Sequence, residues 1–498
     1  MSSEGSSNHQ PNASWLWNTL TPSQVVLPSM SELRGRVESF WNTLTPSQVF
    51  VGSFLTLIVL GTVGLQTLPG LFTGPGLSWT DAFFTITSAV CVTGLIVVDT
   101  AEYFTTWGQA YILILIQLGG LGIIAFTSII ISSLGQRLSV RHEELAEGPA
   151  AHVPQISPLD LTWAVFRFTL VAEAIGATLL YTFWVPRFGW GTTNVWHAVF
   201  QSVSAFCNAG FSTFTTSLEA FQGNAPLLIT VMVLIVLGGL GFLTLEEVWL
   251  WSGARGTQKQ GSGRFRLSLH SQIVLATTAV LILSGWIFFT FFEWSNTLAG
   301  MPVGTRLVNG LFASITPRTA GFNTIDYAET LPSTNFLTIL YMSMGGSPGS
   351  TAGGLKTTTT ALLALLAWSK LRGKVHVSIS SRTIPSSTIS QAMGLFVVAF
   401  VVVTVGIYGL TLVEFKSVFM SATESDFLVH MFEAVSAFNT VGLSMGATGG
   451  LTTAGRWLTI VLMFIGRVGP LTVAEAMSRG SKQRTGMTRY AHEDVAIG

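Results

Sequence analysis

The sequence predicts an all-α integral membrane protein built from four span–re-entrant-loop–span repeats, with eight transmembrane helices around a central pore. Composition is the first reason, because 49% of the 498 residues are hydrophobic and only 10% are charged, whereas soluble domains carry about 25% charged residues. The second reason is a set of apolar stretches long enough to cross a bilayer. The third is one short sequence element that occurs four times.

Eight apolar stretches approach the roughly 20 residues that a helix needs to cross a bilayer. They cover 48–68, 109–134, 161–184, 225–251, 271–292, 335–345 continuing to 357–368, 389–413 and 452–477. A shorter apolar stretch lies between the two spans of each pair, at 80–92, 193–208, 305–316 and 428–440. These four are too short to cross and too apolar for surface loops, so we predict that they are re-entrant helices.

Each short stretch contains one copy of the repeated element, which begins at Phe and closes at Gly. The copies are Phe84–Gly94, Phe200–Gly210, Phe312–Gly321 and Phe432–Gly442. Their glycines recur about every 115 residues, which indicates an internal repeat. The third copy is one residue shorter, so we expect its re-entrant helix to end differently. The predicted units are a polar cytoplasmic N-terminal tail (1–44), repeat 1 (45–135), repeat 2 (158–252), repeat 3 with a broken second span (268–372), repeat 4 (387–479) and a cytoplasmic C-terminal tail (480–498).

The charges between the spans predict the orientation. Basic residues follow the even-numbered spans, at Arg137, Arg141, Arg255, Lys259, Arg264, Arg266, Lys370, Arg372, Lys374, Arg382, Arg479, Lys482, Arg484 and Arg489. The opposite connections carry acids, at Asp99, Glu102, Asp326, Glu329, Glu424 and Asp426. The positive-inside rule then places both termini in the cytoplasm, so the re-entrant loops open from outside. In the N-terminal tail, Trp17–Val25 recurs unchanged as Trp41–Val49, which we interpret as a duplication rather than a functional module.

Glycine at the same place in four loops suits an ion filter, because aligned backbone carbonyls need a chain without an obstructing Cβ. The predicted filter is the glycine and the two residues before it in each copy: Val92, Thr93, Gly94, Asn208, Ala209, Gly210, Thr319, Ala320, Gly321, Thr440, Val441 and Gly442. None of these side chains is acidic, so selection would rest on carbonyl dipoles. The negative C-terminal ends of the re-entrant helices favour a cation. Glycine at helix crossings is the alternative, but four glycines in register favour a pore.

The four loops, together with Gly345-Gly-Ser-Pro-Gly-Ser-Thr-Ala-Gly-Gly-Leu-Lys-Thr357 and Gly466-Arg-Val-Gly-Pro-Leu-Thr472, closely resemble the Trk/Ktr/HKT family of potassium transporters. With eight spans rather than ten, the chain looks most like the Ktr system membrane subunit, KtrB. The resemblance implies potassium as substrate, sodium as activator or coupling ion, and a homodimer with one pore per chain. It also implies a cytosolic KtrA-like nucleotide-binding regulatory ring and a place in the bacterial plasma membrane. Relatives with Ser in place of the first filter glycine tend to carry sodium, so Gly94 implies potassium.

The third even span contains a glycine-rich stretch that should break its helix. Such a break is tolerable only where the freed backbone faces a cavity, and the stretch does not match a phosphate-binding P-loop. The resemblance implies a mobile gate below the filter, with a kinked helix as the alternative. The candidate gate residues are Gly345, Gly346, Ser347, Pro348, Gly349, Gly353, Gly354, Lys356 and Arg467. A mid-span Arg faces a partner or a cavity, so Arg467 either lines the pathway or pairs with Glu173.

Three smaller hypotheses concern single side chains near these motifs. Arg318 should brace the third loop from behind, and Lys356 either anchors the gate or extends towards the membrane surface. Cys91 and Cys207 lie three residues before a filter glycine and are interpreted as packing residues.

Other classes of protein fit the sequence less well. Equal numbers of basic and acidic residues, 24 each, exclude a generally basic nucleic-acid binder, so no nucleic-acid partner is expected. Two cysteines exclude a disulfide scaffold. We find no grouping of nucleophile and base and therefore expect no enzyme, no covalently bound cofactor and no metal beyond the transported ion. An alternating-access potassium/sodium symporter remains an alternative to a gated pore, and an intramembrane enzyme is a weaker one.

Overall fold

The computed structural model describes residues 45–133, 158–256, 267–374, 376–379, 382–418 and 424–477. The predicted tails therefore lie outside the described residues, as do Arg137, Arg141, Lys259, Arg264, Arg266, Arg479, Lys482, Arg484 and Arg489. The described part is mostly helical and contains sixteen α-helices. They follow one another in an order that recurs four times: a long helix, a short helix, a loop and a second helix or helix pair.

The first two repeats are described with few interruptions. Repeat 1 consists of α1 (Pro46–Thr67), α2 (Trp79–Val90), the single turn α3 (Thr100–Tyr103) and α4 (Thr106–Ser133). Repeat 2 consists of α5 (Pro158–Phe188), α6 (Thr192–Cys207), α7 (Ala225–Gly239) and α8 (Phe242–Gly256), with a 3-10 turn at Glu219–Phe221. Polar residues start several helices: Ser78 accepts from the Asp81 N–H before α2, and Asn224 accepts from the Leu227 N–H before α7. These caps replace partners that the first helical N–H groups lack.

The last two repeats have the same order. Repeat 3 consists of α9 (Leu269–Glu293), α10 (Val303–Ile315), α11 (Pro332–Met342) and α12 (Thr357–Leu371). Repeat 4 consists of α13 (Ser386–Val418), α14 (Glu424–Phe438), α15 (Thr453–Val468) and α16 (Pro470–Met477), with a 3-10 turn at Thr448–Gly450. Between these repeats, β1 (Ser378–Ile379) pairs antiparallel with β2 (Arg382–Thr383), so that Ser378 lies opposite Thr383. The sequence reasoning did not predict this small hairpin.

Four helices of the described part are long and apolar enough to cross a membrane, at Ser47–Thr67, Trp163–Phe188, Leu269–Glu293 and Ser386–Glu414. These segments are the first spans of the four repeats. Two further spans are counted when each sharply bent helix pair is taken as one span. The protein is therefore an integral membrane protein, and the length and composition of its described helices give four to six candidate spans. The helix α4, with 28 residues, is not counted among them.

Two second spans are sharply bent, although the sequence had indicated a break only in repeat 3. The axis turns by 106° between α7 and α8 and by 95° between α15 and α16. Each of the predicted spans at 225–251 and 452–477 is therefore a pair of helices rather than one continuous helix. The bends occur at Gly241 (φ +83°) and Gly469 (φ +95°), in a backbone region that glycine enters without a Cβ penalty. Pro470 then starts a new helix. The break predicted in repeat 3 is present, between Met342 and Thr357.

Glycines of the second spans allow close contact with the short helices. A Cβ built on Gly119 would meet the Val90 carbonyl oxygen, and one built on Gly466 would meet the Phe438 carbonyl oxygen. Repeat 2 has the same arrangement at Gly238, whose Cβ would meet the carbonyl oxygen of Phe206. Small residues let helix backbones approach in this way. Helix packing thus explains why glycine occurs at matching places in these second spans.

The core lies around the short helices. The phenylalanines that open the four copies are almost fully buried: Phe84, Phe200, Phe312 and Phe432. Each packs in one of three apolar clusters, which join neighbouring repeats. This packing holds the short helices in place, and their C-terminal ends lead into the loops that follow.

Candidate functional site: a ring of four loops

The loops that follow the four short helices share one backbone conformation. Residues Val92, Asn208, Thr319 and Thr440 have positive φ of +55°, +58°, +70° and +50°. Two residues later, Gly94, Gly210, Gly321 and Gly442 have φ of +93°, +73°, +78° and +89°. Positive φ is rare for residues with a side chain, and strained backbone of this kind concentrates at functional sites. The four loops therefore have the same strained turn at the same register.

The four loops also meet one another in a closed ring. A Cβ built on Gly94 would lie 2.5 Å from the Ala209 carbonyl oxygen, and one on Gly210 would lie 3.2 Å from that of Ala320. Likewise, a Cβ on Gly321 would lie 2.5 Å from the Val441 carbonyl oxygen, and one on Gly442 would meet that of Thr93. Each glycine thus faces the carbonyl just before the glycine of the next repeat, in the order 1, 2, 3, 4 and back to 1. The structure brings the predicted loop residues together, and a side chain at Gly94, Gly321 or Gly442 would force a neighbouring carbonyl to move.

A hydroxyl group behind each loop was missed by the sequence reasoning. It lies four residues after the opening phenylalanine, at Ser88, Ser204, Thr316 and Ser436. Ser88 Oγ and Ser436 Oγ accept from the N–H of their loop glycines, both at 3.1 Å. Ser204 Oγ and Thr316 Oγ1 instead donate to the carbonyl after the glycine, at 2.6 and 2.5 Å. The recurring hydroxyl was visible in the aligned copies and could have been found.

The shorter third copy ends its helix differently, as predicted. In the other three repeats, the residue before the glycine donates its N–H to a carbonyl five residues earlier, for example from Thr93 to Ser88 at 2.8 Å. In repeat 3, Ala320 donates to Thr316 at 3.0 Å, which is four residues earlier. One residue fewer therefore closes a tighter turn, while the glycine still reaches the ring.

The oxygen atoms at the ring are neutral. The predicted loop residues carry no acid, and the hydroxyls of Thr93, Thr319 and Thr440 are buried without a hydrogen-bond partner among the described residues. The C-terminal ends of α2, α6, α10 and α14, each carrying a partial negative charge, directly precede the loops. Neutral oxygens and helix C-termini together can replace the water shell of a cation without a carboxylate ring.

The break of repeat 3 lies directly against these loops. A Cβ built on Gly345 would contact Thr319 Cγ2 at 3.5 Å, and one on Gly353 would meet Thr440 Oγ1. A Cβ on Gly354 would lie 2.6 Å from Asn439 Oδ1. The segment 343–356 between α11 and α12, called here the break segment, therefore packs under the third and fourth loops.

Other repeats hold the break segment through their backbones. Ser347 and Thr351 donate their N–H groups to the Gly239 and Gly238 carbonyls of repeat 2, at 2.9 and 3.2 Å. Gly354 N–H donates to the Gly466 carbonyl of repeat 4 at 3.3 Å. Within the segment, Ser347 Oγ lies 3.1 Å from Thr357 Oγ1. Its freed backbone groups are thus bonded to the glycine positions of neighbouring second spans.

Arg467 fastens the same segment by its guanidinium group. Its Nη1 donates to the Thr351 carbonyl and its Nη2 donates to the Gly119 carbonyl at 2.9 Å. The side chain is only 3% exposed. The alternative that Arg467 pairs with Glu173 is wrong, because the carboxylate of Glu173 accepts instead from Gln117 Nε2 at 3.0 and 3.1 Å. Backbone carbonyls of repeats 1 and 3 are the partners of Arg467.

The remaining charged and sulfur side chains near the ring have structural contacts. Lys356 Nζ donates to the Ala352 carbonyl at 2.6 Å and so anchors the break segment rather than extending away from it. Arg318 Nη2 donates to Thr278 Oγ1 of α9 at 3.3 Å, behind the third loop, as predicted. Cys91 and Cys207 are buried and unpaired with each other, and Cys207 Sγ donates to Gln117 Oε1 at 3.1 Å. In the described residues, no group of three His, Cys, Asp or Glu side chains could hold a metal ion.

Comparison with known proteins identifies the architecture. A family model described as "TrkH: Cation transport protein" matches residues 33–483. The chain belongs to this family. This TrkH-family chain is 37% identical to the Ktr system potassium uptake protein B of Vibrio alginolyticus, over 90% of its own length and 93% of that protein. It is 36% identical to the protein of the same name from Bacillus subtilis, over 90% and 95%.

Two other relatives extend the comparison. The chain is 35% identical to the potassium/sodium uptake protein NtpJ of Enterococcus hirae, over 89% of this chain and 95% of that protein. Its fold matches the crystal structure of the potassium transporter TrkH from Vibrio parahaemolyticus with a TM-score of 0.66 and 20% identity, covering 86% and 85% of the two chains. The predicted family membership is therefore confirmed. These relatives are named as uptake proteins or transporters, which fits the expectation of a transporter.

Proposed function

We propose that this TrkH-family protein takes up potassium across a bacterial plasma membrane through the ring formed by its four loops. The observation that carries the proposal is the closed contact of Gly94, Gly210, Gly321 and Gly442, each facing a carbonyl of the next repeat. Four equal backbone turns of this kind can supply rings of carbonyl oxygens to a dehydrated cation. The names of the relatives, which are potassium uptake proteins, support potassium as the substrate.

The filter residues would be the twelve predicted from the sequence. In this assignment the carbonyls of the two residues before each glycine face the ion, and the hydroxyls of Ser88, Ser204, Thr316 and Ser436 hold the loops from behind. Gly94 completes an all-glycine ring, which favours potassium over sodium. The absence of acids among the twelve residues makes selection depend on the spacing of dipoles.

The break segment would be the gate. It packs against the third and fourth loops and bonds to the glycine positions of repeats 2 and 4. Arg467 ties it to repeat 1, and its positive charge below the filter opposes an approaching cation. Release of these bonds would open the pathway towards the cytoplasm.

The surrounding organisation is proposed from the sequence and from the relatives. The repeats would occupy 45–135, 158–252, 268–372 and 387–479, with eight spans and both termini in the cytoplasm. Two relatives belong by name to Ktr systems. The homodimer and the docked cytosolic KtrA-like nucleotide-binding ring follow from the family resemblance of the sequence. One relative is named for both potassium and sodium, which supports sodium as an activator or coupling ion.

Flux into proteoliposomes tests the function. The purified full chain should carry potassium faster than sodium down equal gradients, and it should restore growth on low potassium to a strain that lacks potassium uptake. Equal potassium and sodium flux, or none with and without a nucleotide-binding partner, would contradict the proposal. Recording in a planar bilayer separates the two mechanisms, because unitary currents indicate a gated pore and their absence despite flux indicates an alternating-access symporter.

A further inference from the structure

A buried carboxylate lies behind the fourth loop, at a position that carries no charged residue in the other three copies of the repeated element. Glu433 belongs to α14 and its side chain is fully buried. Its Oε1 accepts from Ser444 Oγ at 2.5 Å and from the Met445 N–H at 3.2 Å. Its Oε2 accepts from Thr448 Oγ1 at 2.6 Å. All of these partners can donate to a carboxylate oxygen.

These bonds fasten the chain just beyond the ring glycine. Ser444 follows Gly442 by two residues, and Ser436 Oγ accepts from the Gly442 N–H at 3.1 Å. The fourth loop is therefore held at two neighbouring points by its own short helix, once by a hydroxyl and once by a carboxylate. The side-chain bonds to the carboxylate are shorter than the bond to the hydroxyl, at 2.5 and 2.6 Å against 3.1 Å, so Glu433 makes the firmer attachment.

The equivalent positions of the other repeats carry no carboxylate. The position after the opening phenylalanine is Thr85 in repeat 1, Gln201 in repeat 2 and Ala313 in repeat 3. In repeat 2, Gln201 Oε1 accepts from Ser212 Oγ at 3.4 Å, and Ser212 also follows its ring glycine by two residues. The same attachment thus exists in two repeats, long and through an amide in repeat 2, and short and through a carboxylate in repeat 4.

We propose that Glu433 is a positioning residue that holds the fourth ring segment at the spacing that discriminates potassium from sodium. This inference rests on the proposed function of the ring. An ionisable side chain buried in a membrane protein indicates a functional position, and the donors around Glu433 are all supplied by the segment that leaves the ring. Loss of one of its acceptor oxygens would let Gly442 and its neighbouring carbonyls move outward.

Selectivity measurements on Glu433→Gln test the proposal. The amide keeps the size and one acceptor but replaces the second acceptor oxygen by an NH₂ group, as in Gln201, so the variant should fold and its potassium-to-sodium uptake ratio should fall about tenfold. The matched control is Glu414→Gln in the same repeat. Glu414 is also buried and accepts from Thr452 N–H and Oγ1 at 3.0 and 2.8 Å, but these bonds lie at the start of α15. This control should lower the melting temperature and leave the uptake ratio unchanged.

Each outcome decides the matter. An unchanged ratio in folded Glu433→Gln, or an equal fall in both variants, would overturn the positioning role. If Glu433→Gln does not fold, Ser444→Ala removes one donor and should lower the ratio severalfold, and an unchanged ratio there would equally overturn it. Parental protein that does not discriminate potassium from sodium would contradict the proposed function itself. Discrimination that is lost in Gly94→Ser but kept in Glu433→Gln would contradict the Glu433 proposal alone.

Discussion

Serine substitution of each ring glycine should reduce selectivity in an order that the structure dictates. All four glycines have positive φ, so any side chain adds about 1–2 kcal/mol of backbone strain. The contacts differ, however. A Cβ on Gly94 or Gly321 would lie 2.5 Å from a carbonyl oxygen of the next loop, and one on Gly442 would lie closer still. On Gly210 the corresponding distance is 3.2 Å.

These distances set the size of the expected effect. Real Cβ atoms almost never approach another heavy atom within 3.0 Å, so at Gly94 and Gly321 a filter carbonyl must move by about half an ångström or more. Strain at such a site costs roughly 1–3 kcal/mol, and each 1.4 kcal/mol is about a factor of ten. We therefore expect the potassium-to-sodium uptake ratio to fall about tenfold or more for serine at Gly442, Gly94 and Gly321. The fall at Gly210 should be about threefold.

The assay is potassium uptake into proteoliposomes in competition with sodium, at matched protein incorporation. Gly74→Ser is the control, because Gly74 is exposed and a Cβ there would have no neighbour within 4 Å. It should behave like the parent. The reasoning fails if all four ring variants lose selectivity equally, if Gly210→Ser is the most severe, or if none differs from Gly74→Ser.

Two further predictions concern charged side chains. Arg467→Ala removes two charge-assisted hydrogen bonds, each worth about 1.5–3 kcal/mol, so it should raise potassium flux severalfold without the cytosolic partner. Arg456→Ala, near the start of α15, should not, and a lower flux in folded Arg467→Ala would contradict the proposed gate. Burial, then the charges of Asp326 and Glu329, raises the pKa of Glu219 in the loop between α6 and α7. Because the protonated form is favoured on folding, that stability is present below the unfolded pKa of about 4.3 and lost as pH rises through the folded pKa. Glu219→Gln should thus raise the melting temperature at pH 7 and not at pH 4, and no difference between these pH values would refute the shift.

The repeated pattern made the ring predictable from the sequence, since four glycines in one register indicate a backbone conformation that all four loops share. The hydroxyl at Ser88 and its equivalents had the same kind of signal and was overlooked. The bend at Gly469 also had a signal in the sequence, because a proline follows that glycine. The bend at Gly241 had no such signal. Repetition therefore carries information about the backbone of the site.

The contacts between repeats were not predictable in the same way. Arg467 bonds to the carbonyls of Thr351 and Gly119, and carbonyls carry no mark in a sequence, so the sequence indicated the acid Glu173 as a partner instead. Glu433 is bonded to hydroxyls and N–H groups 11 to 15 residues further along its own chain. Its partners are ordinary loop residues until the loop is folded around it.

The four repeats can be equal at the ring but not below it. Each repeat contributes one glycine with positive φ to the ring. Below the ring, the break segment of repeat 3 already occupies the space between the second spans, and it bonds to Gly238 and Gly239 of repeat 2 and to Gly466 of repeat 4. The glycine carbonyls of those spans are therefore the hydrogen-bond acceptors of the break segment. The helix α4 continues unbroken past Gly119, whose carbonyl accepts from Arg467. A break in a single repeat is thus what the packing allows, because two such segments would occupy the same space.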